Sequence, residues 1–360
     1  MFFLSPTLKR IIYPSLAGAG YFRRRRARQI SILTYHGVFP NAYTVTDPFL
    51  DGTLLTVEMF RRQLRMLRSS YRIFSPSEFL DWLHSDRELP ERAVLLTCDD
   101  GLLNSLTGMV PVLVEEKLSC VFFVTGVSVT APYSMLWYVE FYLMLMQSSK
   151  RDLEFCVDNA GTRFLLKDKA AKRVVWLDLL KKLSRVDGGR RKALMDEIRV
   201  KLDLPPDWGS QYLEDPILRD RFCVMGLPEI QRLVEAGMHV GAHTLTHPIP
   251  SQQPAEVFHA EIVESREILE NALEAHPIWS FAYPFGDEDS VSPREFQMVE
   301  RAGFQCAFVN EGGPVLSKAQ PYALPRINIS RDMSIGELEA HASGFHEMLR
   351  GRFRPRTQLA

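Results

Sequence analysis

Short apolar runs alternate with amphipathic segments along most of the chain. SILTY (31–35) precedes the helical pattern VEMFRRQLRMLRSS, YRIF precedes PSEFLDWLHS, and AVLLTC (93–98) precedes a leucine- and valine-rich segment ending near Lys117. CVFFVTG (120–126) follows, and after a long interval come MHVGAHT, the helical AEVFHAEIVESREILENALEA, IWSFAYP, PREFQMVERAG, CAFVN and ALPRINI. Strands that read as continuous apolar runs and alternate with helices predict a parallel sheet covered on both faces. Seven or eight such units predict α/β architecture closed into a distorted (β/α)7-8, TIM-like barrel.

Residues 127–226 interrupt this rhythm with MLWYVEFYLMLMQ, AAKRVVWLDLLKKLSR and RRKALMDEIRVKLDL, which carry helical spacing and few strand signals. They predict a helical insertion on a barrel loop, where the catalytic face accepts additions. The aromatic stripe Trp137, Tyr138, Phe141 and Tyr142 reads as the insertion's own core, with contact to a lipid or lipid-linked substrate as the alternative. The organisation expected is a basic N-terminal arm (1–29), a barrel (30–330) carrying the insertion, and a C-terminal helix and tail (331–360).

Of the 360 residues, 46% are hydrophobic and 24% charged, enough apolar material for a large core, and the formal net charge of -1 gives no global pull towards nucleic acid. Charge is instead local: Lys9, Arg10, Arg23, Arg24, Arg25, Arg26 and Arg28 precede residue 30 without an acid among them. The stretch IIYPSLAGAGYF between them is broken by Pro14 and glycines and is too short to span a bilayer. Arginines directly after its small residues disfavour export as a signal peptide. The arm therefore reads as a peripheral contact for a membrane surface or as a solvated tail, on a cytoplasmic protein or one held at the inner membrane face. Five cysteines (Cys98, Cys120, Cys156, Cys223, Cys306) have no CxxC pair and read as reduced core thiols. Cys98 adjoins two aspartates but reads as wall, not nucleophile.

Those aspartates are the first chemical signal. TCDDG (97–101) sets Asp99 and Asp100 side by side where an apolar strand turns into a loop. Two unpaired carboxylates in a crevice would each lose solvation, so the pair is either a solvated turn or the edge of a cation site. HTLTH (243–247) ends another strand and places His243 and His247 four apart, a spacing that aims two imidazoles at one ion. One carboxylate with two imidazoles leaves positions open for water and substrate, the pattern of a catalytic site.

TCDDG, HTLTH and FAYPFG (281–286) resemble, in order, the three motifs of the polysaccharide deacetylase family (carbohydrate esterase family 4, the chitooligosaccharide deacetylase homology domain). ILTYHGV (32–38) and LPRINI (324–329) further resemble its exopolysaccharide-deacetylating branch. The resemblance covers roughly residues 30–126 and 225–330. It implies that Asp100, His243 and His247 hold a divalent metal, zinc being the expected ion. Asp99 would be the general base acting on water, and the backbone N–H of Phe285 would face the oxyanion. Two departures stand out. The third motif has Ala282 where many members carry an arginine that pairs with the base, and Arg326 is the expected substitute. The late leucine-x-histidine motif is not evident, and His341 and His346 read as surface residues of a polar helix. His36, at the end of the first strand, is expected to fill the acid's role, against the alternative of a structural strand-end histidine.

The function these residues imply is metal-dependent removal of N-acetyl groups from N-acetylhexosamine units of a cell-surface polysaccharide or its lipid-linked precursor. O-acetyl ester or small-amide hydrolysis on the same site is the first alternative. A non-catalytic carbohydrate-binding protein is the second, and retention of the base argues against it.

Overall fold

A computed structural model describes residues 8–25, 27–40, 47–155, 161–274 and 276–353; Arg26 and Cys156 lie outside them. The apolar runs become eight parallel strands: β1 (Ile30–Tyr35), β2 (Arg72–Phe74), β3 (Ala93–Cys98), β4 (Val121–Val124), β5 (His239–Ala242), β6 (Ser280–Ala282), β7 (Cys306–Val309) and β8 (Leu324–Asn328). β1 pairs with β3 on one side, from Ile30↔Ala93 to Tyr35↔Cys98, and with β8 on the other, Ile32 opposite Arg326. That double pairing closes a seven-stranded barrel in the order β1, β8, β7, β6, β5, β4, β3. β2 stands outside the ring because it takes only the first half of β3 (Phe74↔Leu95), leaving the second half to β4 (Thr97↔Val121).

Alternation along each strand sorts the side chains into two clusters. Ile30, Ile32, Leu95, Phe123 and Phe308 fill the barrel interior, whereas Leu33, Tyr35, Leu96 and Cys98 pack outward with helix residues such as Phe60 and Leu64. Thr97 and Asp99 continue the interior row of β3. The Arg326 guanidinium joins them over the Phe123 and Phe308 rings, at 5.5 and 5.9 Å.

Six helices matter for the site and the termini: α1 (Tyr13–Gly18), α2 (Trp137–Gln147), α3 (Lys169–Leu183), α4 (Gly188–Lys201), α5 (Ile335–Ala342) and α6 (Phe345–Phe353). α2, α3 and α4 lie on the connection from β4 to β5, and Asp168 and Asp187 cap α3 and α4 by accepting from Ala171 and Arg190 N–H. The insertion has its own apolar core, which contains Trp137, Phe141, Tyr142, Trp176 and Leu179. Burial of Trp137, Phe141 and Tyr142 there removes them as a lipid-facing stripe. The insertion also holds an antiparallel hairpin, Asp152–Phe155 against Thr162–Leu165.

The N-terminal segment is folded onto the other end of the chain. Tyr13 and Phe22 are buried with Ala340 and Phe345, Lys9 pairs with Glu337 (2.6 Å) and Arg23 with Glu339 (3.2 Å). His346 is buried and His341 half-buried in the same junction, with stacked rings 3.9 Å apart, and Tyr13 Oη is hydrogen-bonded to His346 Nδ1 at 3.0 Å. Their reading as surface residues is corrected: the polar face of α5 and α6 is covered by α1, a contact between residues 333 positions apart.

Candidate active site

The residues singled out by sequence meet at the C-terminal ends of the strands, where a parallel barrel gathers its loops. Asp99 and Asp100 follow β3, His243 follows β5, Phe285 follows β6, Arg326 lies on β8 and His36 follows β1. A cavity of about 300 Å³ is lined by His36, Asp99, Asp100, His243, His247 and Phe285, together with Phe49, Tyr138 and Trp176.

The adjacency of the two aspartates is resolved by the backbone. Asp99 keeps the interior direction of β3, while Asp100 turns into the left-handed region with φ 74°. Thr244 (63°), His247 (58°) and Phe285 (61°) do the same, so four non-glycine residues around one cavity hold a conformation that costs on the order of 1 kcal/mol or more each. Such strain persists where surrounding contacts fix it. His247 N–H donates to Thr244 Oγ1 at 3.1 Å, and Asn310 Nδ2 donates to Phe285 O at 3.0 Å.

Arg326 grips Asp99 as a fork: Nη1 donates to Oδ1 at 2.7 Å and Nη2 to Oδ2 at 2.6 Å, with both side chains buried. Burial alone would raise the Asp99 pKa, but the Arg326 charge, with His243 behind it, holds the carboxyl below its ordinary value. Arg326 thus pairs with Asp99 from β8, as expected of it from the sequence.

Asp100 Oδ1 lies 3.5 Å from His243 Nε2 and 3.2 Å from His247 Nε2. Burial opposes ionisation here too, yet hydrogen bonds from His243 and His247, with the charge of His247 behind them, hold Asp100 well below the usual carboxylate range. His243 Nδ1 is 2.7 Å from the carbonyl of Ala282, which can only accept, so Nδ1 carries a proton and Nε2 is the ring atom turned to the site. Burial lowers the His247 pKa, against the pull of the Asp100 carboxylate. Two imidazole Nε2 atoms and a carboxylate oxygen converge within 4.8 Å; ring protons can bridge them, and with those protons released the three atoms offer their lone pairs to one cation. The donor set fits a divalent metal, and a carbonyl behind a histidine ligand is the usual way its ring is oriented.

His36 is half-buried at the cavity wall, and its Nδ1 has no hydrogen-bond partner among the described residues. Phe285 N–H donates to no backbone carbonyl there. Cys98 points outward beneath the helices, and burial pushes its thiol far up, as suits a wall residue.

Tyr138 was not legible as a site residue. It comes from α2, one position off the buried row Trp137, Phe141 and Leu145, and its Oη donates to Asp100 Oδ2 at 3.2 Å. Burial, and then the Asp100 charge, hold the phenol well above its ordinary pKa, so it stays a donor. Phe49 and Trp176 pack edge to face, ring centroids 5.4 Å apart, on the same side of the cavity. The one available signal was the aromatic excess of α2 over what its own core uses.

The comparisons with known proteins follow this geometry. Residues 216–307, which hold the second and third motifs, match the family model for polysaccharide deacetylase. No curated protein matches the chain. Among solved structures, the deacetylase PplD of Streptococcus pyogenes, in complex with acetate, is similar over 87% of this chain and 98% of its own, with 17% identity and a TM-score of 0.54. IcaB from Ammonifex degensii is similar over 88% and 98%, with 18% identity and a TM-score of 0.52. A de-N-acetylase from Aggregatibacter actinomycetemcomitans gives 87% and 99%, 13% identity and 0.51. These likenesses establish the barrel fold. In class the protein is a hydrolase that removes acyl groups. The segment that carries the second and third motifs is similar to the polysaccharide deacetylase family.

Proposed function

We propose that this protein removes acetyl from the amino nitrogen of N-acetylhexosamine units in a cell-surface polysaccharide or its lipid-linked precursor, with a divalent cation held by Asp100, His243 and His247. The single observation that carries the reading is the division of labour between adjacent carboxylates. Asp99 is held ionised by a two-bond arginine fork, and Asp100 faces two imidazole Nε2 atoms. A divalent ion at such a site supplies Lewis acidity, lowering the pKa of water to about 7 and polarising an acyl oxygen. Two imidazoles and a carboxylate are the ligand chemistry of zinc.

The chain's own residues do the rest. Asp99, kept anionic by Arg326, takes a proton from the attacking water. Phe285 N–H, unclaimed by the backbone, donates to the negative oxygen of the tetrahedral intermediate. His36 hands a proton to the departing nitrogen. An amine is a poor leaving group and an alkoxide a better one, so a histidine on the cavity wall whose Nδ1 has no partner among the described residues favours the amide over the ester. Trp176 and Phe49 offer apolar ring faces for a sugar.

For location, we read the N-terminal segment as a contact with anionic lipid on a cytoplasmic or inner-face protein. Arg10 and Arg24 are exposed and make no ion pair among the described residues, and Ile11 and Ile12 beside them are 61% and 41% exposed. No helix among the described residues is long and apolar enough to cross a membrane.

The test is acetate release from matched N-acetylated and O-acetylated oligosaccharides, before and after chelation. Acetate from the amides, lost on chelation and restored by zinc, is expected. Acetate from the esters alone overturns the reading.

A further inference from the structure

Three side chains of the insertion donate to the ligand loops at the mouth of the barrel. Trp137 Nε1 donates to His247 O at 2.8 Å, Arg191 Nη2 donates to Thr246 Oγ1 at 2.7 Å, and Tyr138 Oη donates to Asp100 Oδ2 at 3.2 Å. The last divides the Asp100 carboxylate between two tasks. Oδ1 faces both imidazole Nε2 atoms, and Oδ2 faces the phenol. A carboxylate free on both oxygens can swing to chelate an ion with both, whereas one whose second oxygen accepts from a fixed donor offers the first alone.

Tyr138 is such a fixed donor. Its carbonyl accepts from Trp176 Nε1 at 2.8 Å, and its ring centroid lies 5.1 Å from that of His247 and 5.8 Å from that of Phe285. The phenol is therefore held by α3 behind it and by the site's own rings in front.

We propose that Tyr138 is a positioning residue that limits Asp100 to one-oxygen ligation, so that the insertion is part of the metal site. This rests on the reading of Asp100, His243 and His247 as metal ligands. Losing the hydroxyl frees Oδ2 and loosens the ligand, and outer partners of metal ligands typically contribute 10- to 100-fold in affinity or activity.

The test compares Tyr138→Phe, which keeps the ring, with Tyr142→Phe. Tyr142 is on the same helix, but its hydroxyl donates to Asp47, on the connection between β1 and β2. Zinc affinity is measured by chelator competition, and the visible absorption of the cobalt-substituted protein reports ligand geometry. Circular dichroism checks that both variants fold. Tyr138→Phe is expected to bind zinc about 10- to 100-fold more weakly and to shift the cobalt spectrum, with Tyr142→Phe matching the parent in both. Parental affinity and spectrum in Tyr138→Phe, equal losses in the two variants, or no zinc bound by the parent each overturn the proposal. Failure of the parent to release acetate while the zinc and cobalt differences persist refutes the deacetylase reading alone.

Discussion

Two adjacent carboxylates with different partners should respond differently to substitution. Asp99→Asn removes a base without removing a ligand, so zinc content measured by elemental analysis should stay at the parent's level while turnover is lost. Equal loss of zinc from Asp99→Asn and His243→Ala would show that both aspartates are ligands. Arg326→Met strands Asp99 in the barrel interior. Removing one partner of a buried pair typically costs about 3–5 kcal/mol, which denaturant titration would read. The unpaired carboxyl also holds its proton more tightly, so the acidic limb of the kcat/KM profile should move to higher pH. His36→Ala should lower amide turnover by roughly 100- to 10,000-fold and spare an activated aryl ester, whose phenolate leaves without help. Equal losses on both substrates would remove the proton-donor role. At this scale Asp99, Asp100, His243, His247, Phe285 and Arg326 were legible because strand ends in a parallel barrel share one face, so motif residues need only be placed after the right runs. Tyr138 was not, because nothing local distinguishes an aromatic that faces a carboxylate from three neighbours that face their own core.

β1, β3 and β4 were legible as elements because they are buried on both faces and read as near-continuous apolar runs. The hairpin Asp152–Phe155 with Thr162–Leu165 was missed: its strands have four residues each, and three of the four in the second are exposed. The basic N-terminal segment was legible as charge and not as structure, since α1 is ordered by long-range contacts with α5 and α6. This changes how membrane contact is tested. Deleting the segment would expose the Tyr13 and Phe22 site, so charge reversal is the cleaner probe. Arg10→Glu with Arg24→Glu should weaken pelleting with phosphatidylserine vesicles at low salt, each basic side chain near an anionic surface contributing about 1 kcal/mol, and leave turnover on soluble oligosaccharide unchanged. Unchanged pelleting would leave these arginines without that role.

For the whole molecule, histidines away from the site should contribute to acid sensitivity. Burial lowers the pKa of His239 to about 3, with His276 alongside, and that of His346 to about 4. His239 Nε2 is buried without a partner among the described residues, so its charged form has nothing to satisfy it. The fold therefore binds these rings neutral, while the unfolded chain protonates them near pH 6.5. Their contribution is complete above that value and is lost as the pH falls from about 6.5 towards 4 and 3. With chelator present throughout, so that metal loss plays no part, Tm should decline between pH 7 and 4. His239→Phe, which keeps a ring stacked on Trp279, should flatten part of that slope; an unaltered slope would place the acid sensitivity elsewhere.

The pairing of β1 with both β3 and β8, and of Tyr13 with His346, has a consequence for synthesis. Translation proceeds at about 5–20 residues per second, so the first strand leaves the ribosome some tens of seconds before residues 324–346 exist. During that interval the nascent chain can form the β1, β3 and β4 side of the sheet and the separate core of the insertion, but β1 keeps an open edge and Tyr13 and Phe22 have nothing to cover them. An open parallel edge and bare aromatic side chains are what holdase chaperones recognise. The chain's beginning is thus the part that depends longest on outside protection, and a stop codon placed before residue 324 should yield a product that aggregates rather than a smaller soluble barrel.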